Sequence, residues 1–446
     1  MQRDVCLPPQ YAAGDTAAKV MAAVLILMLL VGASLWLAHR LNGVPIHWLH
    51  KPLRARPIRS LVPQPSRTRP LRLYWTRPNG RGQPGVLIPV QYSVPDAGFV
   101  VRMRIGEDNV LAVIDSGSHS LGVATSDCIR KQLCSARDAG YNPNRSPTSV
   151  RMGRRGVLQY ASLRIDSDVV RDDLRLQVVR PDREADLCGN PPSLQDTGAL
   201  AEIEVRQTVV HAASAMEGTH SNVFGLMAPT DKCSHDEPCM ISVLFDAIGC
   251  EHRWGLACCE SGAGYLSIGA PSQRCLGSLH TDYIPFSRTF SYMGAYVVDV
   301  SALLVGPTQD NMQPVPSHLA PKHLVLDTGT ADSYLTSAMS QGVLERGLPS
   351  THTSYTRPEI DHLPCFALKL STGHTIGWTP QRYMRNDGES GRFFTTLRTR
   401  DHNIDALFGA ESSVMLLGIS QMMGMFLEFD LSRKRVGFAE YETTRS

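Results

Sequence analysis

The chain has 446 residues, 43% of them apolar, and a formal net charge of +2. That is material for one large or two medium cores, and so small a net charge excludes a nucleic-acid binder that works through its overall field. The mean hides an asymmetry. From Arg40 to Pro95 ten Lys or Arg stand against no Asp or Glu, which leaves the rest of the chain mildly acidic.

In chain order, the first element is Val20 to Ala38, nineteen residues without a charge between Lys19 and His39-Arg40. A bilayer span needs about 20 apolar residues and a signal-peptide core about 7–15. Residues 20–38 therefore read as a transmembrane signal anchor and 1–19 as a cytosolic tail, with a long cleaved signal peptide as the competing reading. Eleven cysteines are present and only Cys6 precedes the span. Cys128/Cys134 and Cys233/Cys239 are spaced to close small loops, as disulfides do in an oxidising compartment. The sequon Asn144-Arg145-Ser146 agrees with that compartment. The expected layout is a single-pass type II membrane protein whose C-terminal part is luminal or extracellular.

Residues 39–85 are rich in Pro and Arg and lack a sustained apolar period, so they read as a stem or prosegment. From about Val86 the texture changes to short alternating stretches broken by Gly, Asn, Asp and Pro, such as FVVRMRIG (99–106), NVLAVID (109–115) and YVVDVSALLVG (296–306). That pattern predicts a mostly β fold.

A repeat runs through this region. Val113-Ile114-Asp115-Ser116-Gly117-Ser118 recurs as Leu324-Val325-Leu326-Asp327-Thr328-Gly329-Thr330. Each copy has an apolar-Gly echo, Val223-Phe224-Gly225-Leu226 and Leu416-Leu417-Gly418-Ile419. Two homologous halves, each presenting one aspartate at the end of an apolar strand, is the simplest reading.

If Asp115 and Asp327 face each other in a shielded cleft, they cannot both ionise, and the pair holds one proton. The ionised partner can take a proton from a water, while the protonated one donates to the carbonyl oxygen under attack. Gly117 and Gly329 permit tight turns that bring backbone N–H groups to the carboxylates. Ser116 and Thr328 can bond across to the opposite turn, and Ser118 and Thr330 can donate to the outer carboxylate oxygens.

These motifs resemble those of the pepsin-like aspartic peptidases over roughly Tyr92 to Tyr441. DSGSHSLGV is similar to the family's first active-site signature and VLDTGTADSYLT to the second. MLLGISQMMGMFLEFDLSRKRVGFAE (415–440) resembles its C-terminal stretch, and Cys128 with Cys134 its small disulfide loop. The anchor before a basic prosegment is similar to the layout of plasmepsins. The resemblance implies a bilobal pepsin-like fold, with an N-terminal lobe over 86–275 and a C-terminal lobe over 276–446. It also implies an endopeptidase acting on extended polypeptides through an Asp115/Asp327 dyad, without metal or cofactor. A monomer with no nucleic-acid partner is expected, and the basic stretch before the first lobe reads as a segment that occupies the cleft until acidification. The alternative is a membrane-anchored binding protein that keeps the fold with little or no catalysis.

The family's β-hairpin flap maps to SVRMGRRGVLQYASLRI (149–165). Met152 falls at the tyrosine position, and Gly153 to Gly156 form a shortened hairpin. Gly122 replaces the tryptophan that would bond the tyrosine, so a rebuilt flap is expected. His119 reads as a solvent-facing loop residue. Cys258 and Cys259 read either as a vicinal pair or as partners of Cys250, Cys275, Cys188 or Cys365. No His/Cys ligand spacing accompanies them.

Overall fold

Among the described residues the alternating stretches become twenty-three strands, and the protein is mostly β. The computed structural model describes residues 85–440, apart from 95, 135–139, 181–199, 219–220, 232, 270–281, 291–292, 352, 388–389 and 410–412. The expected cytosolic tail, anchor and nearly all of the stem, and the expected boundary near 275, lie outside the described residues. Among the described residues no helix is long and apolar enough to cross a membrane.

The first ten strands are β1 (Val86–Ser93), β2 (Gly98–Ile105), β3 (Asp108–Asp115), β4 (Leu121–Ala124), β5 (Val150–Gln159), β6 (Leu163–Val179), β7 (Leu200–Gly218), β8 (Val223–Gly225), β9 (Arg253–Cys258) and β10 (Ala263–Ile268). After them come β11 (Asp282–Pro285), β12 (Val297–Gly306), β13 (Gln313–Pro314), β14 (His323–Leu326), β15 (Ser333–Leu335), β16 (Cys365–Leu370) and β17 (Thr375–Trp378). The chain ends through β18 (Met384–Asn386), β19 (Phe393–Thr395), β20 (Leu397–Thr399), β21 (Val414–Leu417), β22 (Met425–Asp430) and β23 (Arg435–Glu440). Thirteen strands form one sheet in the order β11-β23-β22-β9-β10-β1-β2-β3-β8-β4-β7-β6-β5. A second, eight-stranded sheet runs β17-β16-β12-β14-β21-β15-β20, with β13 beside β12.

The sequence repeat is also a repeat of topology. In the larger sheet β3, which ends at Asp115, is antiparallel to β2 and parallel to β8. β8 is then antiparallel to β4, and β4 is parallel to β7. In the smaller sheet β14, which leads to Asp327, is antiparallel to β12 and parallel to β21. There β21 is antiparallel to β15, and β15 is parallel to β20. The apolar-Gly echoes are thus the strands inserted beside the two aspartate strands. Their glycines are required by close backbone approach. A Cβ on Gly225 would collide with the Ser120 nitrogen, and one on Gly418 with the Asp332 carbonyl.

Both aspartate strands are apolar because sheet neighbours and a shared core cover them. Ile114, Leu324 and Leu326 lie with Phe224 and Leu417 in the main hydrophobic cluster. Burying each such side chain contributes about 1.5–3 kcal/mol, which is what allows two carboxylates to be placed at the strand ends.

Two short disulfides, Cys128–Cys134 and Cys233–Cys239, close the loops expected from their spacing, with Cα separations of 5.3 and 5.4 Å. Helix α1 (Ser126–Arg130) sits inside the first, capped by Thr125 Oγ1, which accepts from the Cys128 N–H at 3.1 Å. Helix α2 (Met240–Ile248) starts directly after the second and buries Met240, Ile241, Leu244 and Phe245.

Candidate functional site

The turns after β3 and β14 meet. Ser116 N–H donates to Thr328 Oγ1 at 3.0 Å, and Thr328 N–H donates to Ser116 Oγ at 2.8 Å. Each hydroxyl then donates onward across the junction, Ser116 Oγ to the Leu326 carbonyl at 2.9 Å and Thr328 Oγ1 to the Ile114 carbonyl at 2.8 Å. Both residues have no solvent exposure. Four buried hydrogen bonds therefore fix one turn against the other.

This junction brings the expected site residues together. The point where a Cβ on Gly117 would sit is 3.1 Å from Asp115 Oδ1 and 3.0 Å from Asp327 Oδ1. A Cβ on Gly329 would collide with the Asp115 carboxylate, so only glycine leaves room for the pair. Each carboxylate also receives a backbone donor from its own turn. Gly117 N–H bonds Asp115 Oδ1 at 2.7 Å and Gly329 N–H bonds Asp327 Oδ1 at 3.0 Å.

The outer positions are not symmetric. Thr330 Oγ1 donates to Asp327 Oδ2 at 2.6 Å. Ser118 Oγ is buried beside Asp115 and favours its ionised form, but it lies outside hydrogen-bond geometry with any partner among the described residues. Asp115 is thus held by fewer donors than Asp327.

Burial, with the adjacent charge of Asp327 second, pushes Asp115 up to about 7. Burial also raises Asp327, against the opposing pull of Thr330 and Gly329. Two acids this close titrate as a pair. The pair retains a proton at pH values where an isolated aspartate is fully ionised.

The hairpin over this junction is not where Met152 and Gly153 were expected to form it. β5 runs unbroken from Val150 to Gln159, and Gly153, with φ of 69°, marks a bulge in its pairing with β6 between Arg151 and Arg155. Nothing lies within 4 Å of a Cβ on Gly153. The reversal comes at Tyr160 to Ser162, where Tyr160 N–H donates to the Leu163 carbonyl at 2.8 Å. Tyr160 therefore stands at the tip of this hairpin. Its hydroxyl is buried and close enough to Ser118 and Asp115 for both to act on its pKa, which burial raises first of all.

Gly122 fits this arrangement. A Cβ there would be 2.8 Å from Ile165 Cδ1 and 3.2 Å from Leu158 Cδ1, with Tyr160 Oη 4.0 Å away. The hairpin's own aliphatic side chains fill the space a large residue at 122 would take. The readable signal was Gln159-Tyr160-Ala161-Ser162, a tyrosine and two small residues between two alternating stretches.

Other expectations resolve locally. His119 is half-buried in the turn after Asp115, and its carbonyl accepts from Met240 N–H at 2.9 Å. Cys250, Cys258 and Cys365 carry buried free thiols, so Cys258 and Cys259 do not form a vicinal disulfide. Cys188 and Cys275 lie outside the described residues. Asn144 is exposed, while Ser146 of the same sequon is buried and donates to Asp172 Oδ1 at 2.9 Å. Among the described residues no group of three His, Cys, Asp or Glu is placed to hold a metal ion.

The fold and site thus define a mostly β protein with a close aspartate pair, Asp115 buried and Asp327 half-buried, at the junction of two repeated strand motifs. No protein-family model matches the chain, and no curated protein is similar to it.

Proposed function

We propose that this protein is an aspartic endopeptidase of pepsin-like architecture, with one lobe on each sheet repeat and Asp115 and Asp327 as its catalytic pair. The single observation that carries this reading is the crossed Ser116–Thr328 junction, which holds both carboxyls against one point with a backbone donor on each. Asp327, with two donors, is the better seat for the negative charge, and Asp115 for the proton. Asp327 removes a proton from a water while the oxygen attacks the scissile carbonyl carbon. Asp115 gives its proton to the carbonyl oxygen, so a neutral tetrahedral diol forms. On collapse a diol hydroxyl returns its proton to Asp115 while the C–N bond breaks and the amine leaves with the proton held by Asp327, so one proton is again shared. Tyr160 closes the site from above.

The substrate would be an extended polypeptide. Two disulfide-closed loops favour an oxidising, luminal or extracellular setting, with residues 20–38 as the anchor. The reading as a binding protein leaned on the absence of a hairpin tyrosine, and Tyr160 in that place weakens it. The test is digestion of a denatured protein at pH 4–6. Cleavage that a statine-type inhibitor blocks, and that is lost in Asp327→Ala and Asp115→Asn, is the expected result. Cleavage that survives either substitution would sink the proposal.

A further inference from the structure

Behind the hairpin lies a second cluster of titratable groups that the hydrolysis does not use. His211, on β7, is 2% exposed. In the parallel pairing of β4 with β7 it stands opposite Gly122, the residue beneath the Tyr160 hairpin. Its Nε2 is 2.7 Å from Glu237 Oε1, in the Cys233–Cys239 loop. Its Nδ1 is 3.1 Å from Ser167 Oγ on β6, and that same hydroxyl donates to the Gly156 carbonyl on β5 at 3.1 Å. The imidazole takes the place of a side chain at Gly156, where a Cβ would be 2.8 Å from Nδ1. Glu237 is also paired to Arg154 of β5 at 3.1 Å. The loop that carries Glu237 leads straight into Met240, whose N–H holds the His119 carbonyl in the turn after Asp115.

We propose that His211 is a positioning residue for the Tyr160 hairpin, a pin that ties β5, through Ser167 and Glu237, to the turn carrying Asp115. This deepens the peptidase reading, but the cluster is defined by geometry alone and is tested without cleavage.

Counting protons shows how the pin works. Nε2 and Glu237 Oε1 lie at 2.7 Å but outside ring N–H hydrogen-bond geometry; a bare nitrogen lone pair so near a carboxylate is repelled, so Nε2 carries the proton when Glu237 is ionised. In neutral His211, Nδ1 is then an acceptor and takes the single Ser167 hydroxyl proton, which removes the bond to the Gly156 carbonyl. When His211 gains a second proton, Nδ1 donates to Ser167 Oγ, and the hydroxyl is free to donate to Gly156. The doubly protonated ring therefore gains a bond to β5, four residues before Tyr160, but stands as a buried cation near Arg154 and His119.

The groups facing His211 are Glu237 from the disulfide loop, Arg154 from β5 and His119 from the turn after Asp115. Burial holds His211 below the ordinary histidine range; Glu237 opposes this, and Arg154 and His119 reinforce it. A ring held below its value in water binds its second proton more tightly once opening exposes it, so the pin weakens as pH falls through the His211 titration.

The experiment is amide hydrogen exchange on the intact chain between pH 4 and 8, corrected for intrinsic rates and read on residues 150–165. Protection of this hairpin should fall several-fold in a single-proton step as pH drops through the His211 titration. His211→Gln, which keeps a polar group but cannot titrate, should abolish the step. Ser167→Ala, which leaves His211 and Glu237 in place, should keep the step, because the ring still titrates, and guards against misfolding of the first variant. Asp115→Asn should retain the step, which separates the pin from the titration of the aspartate pair. A step that persists in His211→Gln, or that disappears in Asp115→Asn, overturns the proposal whether or not the protein cleaves peptides.

Discussion

Ser116 and Thr328, 212 positions apart, each accept the other's backbone N–H through a hydroxyl that itself donates to the strand behind its partner. Either hydroxyl removed leaves a buried N–H and a buried carbonyl unpaired, which costs about 1–3 kcal/mol for each group. Ser116→Ala and Thr328→Val should therefore each lower stability by about 2–4 kcal/mol in denaturant titration. The double variant should fall well short of the sum, because both changes break the same junction. Strict additivity would mean that the two turns are held separately.

The aspartate pair should make stability fall as pH rises. Burial raises both carboxyls above their unfolded values, Asp115 to about 7. A group raised in the fold stabilises fully below its unfolded pKa, and that contribution is lost as pH climbs through the folded value. Asp115→Asn removes the titration, so it should stabilise the protein at pH 7.5 by on the order of 2–4 kcal/mol and have little effect near pH 4. Melting curves at the two pH values check this, and an equal gain at both would rule out a shared proton.

Tyr160 offers a separation of hydroxyl from ring. Its oxygen has no hydrogen-bond partner among the described residues, so Tyr160→Phe should keep stability within about 1 kcal/mol. Tyr160→Ala removes the ring above the junction and should lower kcat/KM for peptide hydrolysis by more than about tenfold. Thermal melts and a peptide assay on both variants give the comparison.

Gly122 should tolerate one atom and no more. The tips of Ile165 and Leu158 that a new Cβ would meet can move by a few tenths of an ångström, so Gly122→Ala should cost about 1 kcal/mol. Gly122→Trp, which adds the bulk of an indole, should cost about 3 kcal/mol by overpacking. It should also raise hydrogen exchange across 150–165. A tryptophan accepted without loss would mean that the hairpin is free to lift.

The sequence alone determined the features that depend on local spacing. The alternation around FVVRMRIG and NVLAVID was legible as strands because side chains on a strand alternate between two faces. Asp115 and Asp327 were legible because the same turn chemistry appears twice after an apolar strand, each with its own apolar-Gly echo. Cys128–Cys134 and Cys233–Cys239 were legible because five intervening residues leave short loops to close.

Only the tertiary structure decided what depends on distant chain segments meeting. The hairpin was misread at Met152 and Gly153 because a glycine beside two arginines marks a strand bulge and a tight turn equally well. Pairing with β6 placed the reversal at Tyr160 instead. The asymmetry between Ser118 and Thr330 is invisible in two nearly identical motifs, since it arises from what packs above each. His211 carries no motif at all. Its neighbours Ser167, Glu237 and Gly156 come from three other parts of the chain, and it becomes a titratable pin only because the fold removes it from water beside a carboxylate.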